Sequence, residues 1–203
     1  MLSYVIFGIT YAFAAAVQPG PLQTYIITQT LSRGWKRTLP ASFSPLLSDG
    51  PIIVLVLLVL SQTPRWLIEF LHFAGALFLF YLTLGAYNAW RSGAVSASTD
   101  FQQHHQTLFK AALVNILNPN PYLGWTLVMG PLFLRGYREN VLHGIALLLA
   151  FYITMVFCLA AIIIVFAFAR NLGPRVNHIT LGFSVLALAC FGIYQLWLGI
   201  NGL

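Results

Sequence analysis

A carboxylate at position 49 stands ten residues inside an apolar run and is followed by Gly50-Pro51. An acid at such a depth in a membrane is costly unless it is protonated, paired or wet, and it marks a pathway for ions or protons by default. Two chemistries are open to Asp49. It is either a proton carrier or a structural acid that accepts bonds from backbone N–H groups freed around Pro45 or Pro51. Two other polar interruptions share a pattern, Gln18-Pro19-Gly20-Pro21 and Asn118-Pro119-Asn120-Pro121. Proline lacks a backbone donor and its ring clashes with the preceding turn, so prolines spaced by one residue unwind a helix locally. The residues after Pro21 and after Pro121 then begin new half-helices, whose free N–H groups and positive dipole ends attract an anion such as a carboxylate. Carbonyls near Val17 and Leu117 are freed as well and can accept from an ammonium. Gly20 permits close approach of a ligand. Gln18, Asn118 and Asn120 add amides, and Asn115 lies one turn before the second break. Together Gln18, Pro19, Gly20, Pro21, Asn115, Asn118, Pro119, Asn120 and Pro121 suit a small zwitterionic substrate, with Asp49 as the proton-coupling group.

The elements that must position these residues are membrane helices. Six segments have the required character: about Leu2–Leu31, Leu39–Gln62, Phe70–Trp90, Ala111–Leu134, Val141–Ala169 and Val176–Gly202. The first would extend about 45 Å as one helix, against a hydrocarbon core of about 30 Å. A central break absorbs the excess in the first and fourth segments. The fifth has no break, so it tilts or emerges into water. The first run is far too long for a signal-peptide core and reads as a retained helix. Gly8-Ala12-Ala16 and Gly75-Gly85 read as close-packing positions between helices.

Composition agrees with this placement. Hydrophobic residues make up 59% of the 203 positions and charged residues 7%, whereas a soluble domain carries roughly 25% charged residues. Mean hydropathy is +0.83. The net charge of +6 comes from basic residues between apolar runs, where they set topology and do not imply nucleic acid. Connections after segments one, three and five hold Arg33, Lys36, Arg37, Arg91, Lys110, Arg170 and Arg175, against Arg65, Arg135 and Arg138 on the other side. Seven against three places the first set in the cytoplasm. Glu69, Asp100 and Glu139 read as solvated acids. Cys158 and Cys190 read as reduced small hydrophobes. His104 and His105 are adjacent in a polar linker with no further ligand at suitable spacing, so no metal and no other cofactor is expected. No nucleophile elbow, zinc-helix motif or phosphate loop is present, so the chain does not read as an enzyme.

The linker, residues 93–107, divides the chain into residues 1–92 and 108–203, which form one transmembrane domain with three segments in each half. Pro19-Gly20-Pro21 is followed by Arg33-Gly34-Trp35-Lys36, and Pro119-Asn120-Pro121 by Arg135-Gly136-Tyr137-Arg138. Three segments per half make the second half enter the membrane inverted, as in inverted-repeat transporters whose broken helices meet near the midplane. The expected fold is therefore an all-α membrane bundle of six transmembrane helices, in two inverted three-helix repeats whose first helices are broken at Pro-x-Pro.

The chain resembles the LysE/RhtB superfamily of bacterial amino-acid exporters. The matching residues are Pro19-Gly20-Pro21, Asp49, Gly75-Ala76-Leu77 with Tyr81 and Gly85, and the stretch from Phe109-Lys110-Ala111 through Asn115 to Asn118-Pro119-Asn120-Pro121. The resemblance covers nearly the whole chain. It implies a multi-pass protein of the bacterial inner membrane that exports amino acids or related small metabolites by proton antiport. Two departures stand out. Asn120 replaces the lysine that commonly follows Asn-Pro, and Ser48 replaces the glycine before the acid. The first removes a cation near the second break. The readings kept beside amino-acid export are efflux of another small solute or cation, and a membrane assembly subunit without transport. The many small residues are also compatible with a homodimer.

Overall fold

The structure, a computed structural model, describes residues 1–58, 65–92 and 101–201, and side chains over 1–56, 69–92 and 107–201. Every regular element among these residues is helical. The first apolar segment forms α1 (Leu2–Val17) and α2 (Pro21–Arg33), which meet at 63°. Pro21 occupies the first position of α2, where a missing N–H costs nothing, and Gly20 is its extended N-cap. Gln23 stabilises the corner, because its Nε2 donates to the carbonyls of Ala15 at 3.0 Å and Ala16 at 3.2 Å. Removing that amide strands two carbonyls that α1 has left open. Gln23→Leu should lower stability by about 1–3 kcal/mol, which thermal unfolding in detergent will register.

Gly34, at φ +89, turns the chain into α3 (Trp35–Thr38), which continues through a 3₁₀ turn at Leu39–Phe43 into α4 (Ser44–Leu58). Then follow α5 (Arg65–Ser92) and α6 (Phe101–Ile116). Residues 101–107, expected in the linker, are helical. Phe-Gln-Gln-His-His-Gln-Thr contains no glycine or proline to stop a helix that runs on into Lys110. The rest of the linker, the connection at 59–64, and the side chains of Arg65, Asp100, His104 and His105 lie outside the described residues.

The fourth apolar segment is divided further than expected. After α6 come α7 (Pro119–Gly124), a π-helical turn at Trp125–Met129, and α8 (Gly130–Glu139). The break falls at Leu117-Asn118, ahead of the two prolines, which both lie in the first turn of α7. The long helices α9 (Val141–Asn171) and α10 (Pro174–Asn201) complete the bundle. Unbroken, α9 is about 46 Å long at 1.5 Å per residue. Among the described residues four helical stretches are long and apolar enough to span a membrane, Trp35–Val56, Glu69–Ser92, Val141–Asn171 and Pro174–Asn201, and the bent α1–α2 pair makes a fifth. The protein is thus an all-α membrane bundle with many large apolar side chains on its outside, among them Phe13, Leu77, Phe157 and Phe183.

Packing sets the site walls. The helix α1 lies along α9, α4 lies along α6, and α5 pairs with α10. Tyr4, Gly8, Ala12 and Ala16 form the buried stripe of α1, as small residues at helical spacing should. Gly75 is likewise buried. Gly85 is not a packing residue, since it is exposed with open space around it, and Ala86 is the buried position. Cys158 is half-buried, Cys190 is exposed, and both are free thiols.

One end of the bundle is tied by an acid that the sequence suggested was merely solvated. Glu139 accepts from the Tyr4 hydroxyl at 2.8 Å, pairs with Arg135 at 3.1 Å and lies 3.6 Å from His143. The Tyr4 bond and the Arg135 guanidinium hold its carboxyl below the ordinary value.

Candidate functional site

Both helix breaks open on one cavity of about 130 Å³. At about 30 Å³ per liquid water that is room for about four waters, the scale of a small solute. Gln18, Pro19 and Gly20 line it from the first break, Asn118, Asn120 and Pro121 from the second, with Asn115 and Asp49 between them. Pro21 and Pro119 are not on the wall. Both are buried in the first positions of their helices, where they shape the corner.

Asp49 is 4% exposed. Its Oδ1 accepts from Asn115 Nδ2 at 3.1 Å, and its Oδ2 accepts from Trp125 Nε1 at 3.4 Å and from the Tyr152 hydroxyl at 3.3 Å. Ser48 Oγ lies 3.4 Å from Oδ1, but its single proton goes to the nearer Ser44 carbonyl at 2.9 Å. Asn115 Nδ2 uses its second proton on Ser48 Oγ at 2.8 Å. The carboxylate is therefore held by neutral side-chain donors from α6, the π turn and α9, and among the described residues no cation is its partner. Backbone N–H groups around Pro45 and Pro51 are not its partners, contrary to the structural alternative. A buried charge held this way is relieved by a proton or by a cationic ligand.

The two breaks differ in what they offer an anion. In α2 the first backbone donors belong to Leu22 and Gln23, both on the cavity wall, and a helix leaves such groups without internal partners. In α7 the first turn has almost none to give. Pro119 and Pro121 have no N–H, and the N–H of Asn120 is taken by Asn118 Oδ1 at 3.2 Å. The expectation of two equivalent dipole ends is corrected accordingly, and the anion-receptive end is that of α2.

Of the carbonyls near the two breaks, those of Ala15, Ala16 and Leu117 are engaged or placed elsewhere. Ala15 and Ala16 are occupied by Gln23. Leu117 is not on the cavity wall, and its carbonyl lies against Gly75 on α5 near Gln195 on α10. An ammonium in the cavity would meet the Asp49 carboxylate and the side-chain amide oxygens instead.

Several wall residues escaped sequence reading. Tyr11, Gln23, Gly124, Trp125, Met129, Phe151 and Met155 line the cavity, and Tyr152 reaches Asp49 from behind. Trp125 opens the π-helical turn, a local widening of the helix common at functional sites. Nothing in its sequence neighbourhood marks that turn. Tyr152 and Phe151 are two aromatic residues in a long apolar run, indistinguishable there from lipid-facing ones. The hydroxyl of Tyr152 was the available signal, and it was weak.

Among the described residues no three His, Cys, Asp or Glu side chains come together as a metal site would require. No curated protein and no solved structure matches the chain significantly. A family model, LysE type translocator, matches residues 13–201, a span that holds both helix breaks and Asp49. On that match across nearly the whole chain, the protein belongs to the LysE type translocator family and is a membrane transporter.

Proposed function

We propose that the protein exports small zwitterionic amino acids or closely related metabolites from the bacterial cytoplasm in exchange for protons. One observation carries the reading. A single cavity is bordered both by the unpaired N–H end of α2 and by a carboxylate that has no cationic partner among the described residues. A substrate carboxylate docks on Leu22 and Gln23 N–H with help from the Gln18 amide. The substrate ammonium lies toward Asp49, Asn115 and Asn118. The side chain faces Met129, Phe151 and Met155, so apolar or small side chains suit it. Proton and ammonium compete for Asp49, and that competition is the coupling.

The halves 1–92 and 108–203 are assigned as inverted repeats that alternate access around this cavity. Exchanging the first three segments with the last three turns the α1–α9 pair into the α6–α4 pair and leaves α5–α10 unchanged, and all three pairs are packed together. The bundle end with Arg33, Arg37, Arg91, Arg170 and Arg175 is assigned to the cytoplasm.

The test is transport in proteoliposomes loaded with a panel of amino acids. An imposed proton gradient should accelerate efflux of small neutral members, and those members should drive proton movement in return. If no amino acid or analogue moves, the substrate assignment is wrong. If efflux occurs but ignores the gradient, the coupling assignment is wrong.

A further inference from the structure

The second polar feature of the molecule is an open groove of about 860 Å³ at the end of the bundle where α2, α5, α9 and α10 meet. Ser32, Trp90, Arg170, Arg175, Asn177 and His178 contribute to its wall. Among the described side chains its charge is unbalanced. The carboxylates among the residues with described side chains are Asp49, Glu69 and Glu139. Asp49 is in the central cavity, Glu69 begins α5 whereas Trp90 ends it, and Glu139 precedes α9 whereas Arg170 ends it. None of the three can reach the groove.

Arg170 is only half exposed and extends over Gly34, where a side chain would collide with its guanidinium. The Arg37 guanidinium is close enough to act on it as a like charge. Asn177 adds a buried amide oxygen with no hydrogen-bond partner, and the same amide turned over presents a donor. Two features set the groove's depth. Trp90 stacks on His178 at 4.9 Å and donates to its backbone carbonyl at 3.1 Å, the disposition of an indole at a membrane–water interface. On the α9 and α10 surfaces nearby, Phe168, Leu172, Ile179 and Phe183 are exposed and apolar.

We propose that this groove binds the headgroup phosphate of an anionic phospholipid, with Arg170 and Arg175 as its charge partners and the acyl chains on the apolar surface beside it. The occupant is a lipid and not a soluble anion because the basic wall and the acyl-sized apolar surface are contiguous at interfacial depth. The bound phosphate neutralises a half-buried arginine and bridges the α9–α10 turn to the ends of α2 and α5. It thereby ties together elements that frame the central cavity, without touching it.

The purified full chain in detergent provides the test, with thermal unfolding followed as phosphatidylglycerol, phosphatidylcholine or inorganic phosphate is added. Phosphatidylglycerol should raise the unfolding temperature in a saturable way, and the other two should not. Each arginine removed should raise the phosphatidylglycerol concentration needed by about fivefold. Arg175→Gln therefore shows one such step and Arg170→Gln/Arg175→Gln shows two. Arg175 is exposed, so the single variant remains informative if the double variant does not fold. Lys36→Gln, at an exposed residue outside the groove, should behave as the parent. Equal stabilisation by phosphatidylcholine, or an unchanged response in Arg175→Gln, would overturn the proposal. Stabilisation by inorganic phosphate alone would make the groove a soluble-anion site and overturn the lipid assignment.

Discussion

Replacing Asp49 with asparagine is expected to reduce gradient-driven transport to the level of empty vesicles while leaving a folded protein. The two halves of that expectation have separate physical grounds. Folding survives because the surrounding donors can be rearranged. Trp125 Nε1 can only donate, so the new amide must present its oxygen there and its nitrogen toward Asn115. Asn115 then turns its own amide over, accepting from residue 49 at 3.1 Å and from Ser48 Oγ at 2.8 Å, and the Ser48 proton turns to it from the Ser44 carbonyl, which keeps its helix bond. The Tyr152 hydroxyl, at 3.3 Å, rotates to suit. Every member of the network keeps a partner, so the change replaces a buried charge with a satisfied neutral amide. Transport fails because an amide neither takes up a proton nor attracts an ammonium as a carboxylate does. Elution profile and thermal stability check the first half, and vesicle efflux under a pH gradient checks the second. A folded Asp49→Asn protein with undiminished gradient-driven efflux would remove Asp49 from the coupling step.

How far this site was legible in the sequence depends on the kind of signal each residue left. Asp49 was visible because charge is rare in an apolar run. The corner at Gln18–Gly20 was visible because proline cannot donate. The same two rules, followed one step further, also distinguish the breaks. Two prolines and an asparagine two residues ahead of the middle N–H leave α7 with no donor to offer, and that arithmetic needs no coordinates. Matching the motifs by appearance hid this difference, since Pro-Gly-Pro leaves Leu22 and Gln23 open downstream while Pro-Asn-Pro closes on Asn118.

Other parts of the site could not be read from the chain. The direction of the Leu117 carbonyl depends on how α7 leaves α6 and on a glycine and a glutamine contributed by α5 and α10. Tyr152 reaches Asp49 across a sequence separation of 103 residues. Gln23 reads as one polar residue in a mixed helix until the corner folds it back on α1. Glu139 similarly gains its role from Tyr4, across a sequence separation of 135 residues. In each case the group's chemistry was apparent, and the partner that gives it a function was set by helix packing alone.

The seam between α1 and α9 yields the second large effect, at Gly8. A Cβ there would stand 2.7 Å from the Leu147 carbonyl oxygen, 3.1 Å from Ala150 Cβ and 3.2 Å from the Phe151 nitrogen. Two of these three are backbone atoms of a helix that cannot be moved singly, so any side chain at position 8 pushes α1 away from α9. Helices in a bilayer associate through close packing, without the hydrophobic drive that holds soluble bundles, so loss of contact along this stripe has little to offset it. Overpacking of this kind costs about 1–3 kcal/mol, and a longer side chain displaces the seam further. The consequence reaches the cavity because the same helices form its wall. Tyr11 stacks on Phe151 at 6.1 Å, one turn beyond Gly8, and Tyr152 follows with its bond to Asp49. Gly8→Leu should therefore lower both thermal stability and transport, and Gly8→Ala should do so to a smaller extent. Gly85 provides the contrast, because it is exposed on α5 with nothing within 4 Å of an added Cβ. Gly85→Ala relieves the helix of a glycine worth about 0.8–1 kcal/mol against alanine, so its stability should match or exceed the parent's. Unfolding temperatures in detergent should accordingly rise in the order Gly8→Leu, Gly8→Ala, parent, Gly85→Ala. If Gly8→Leu proves as stable and as active as Gly85→Ala, the close α1–α9 seam is not what holds the cavity walls in place.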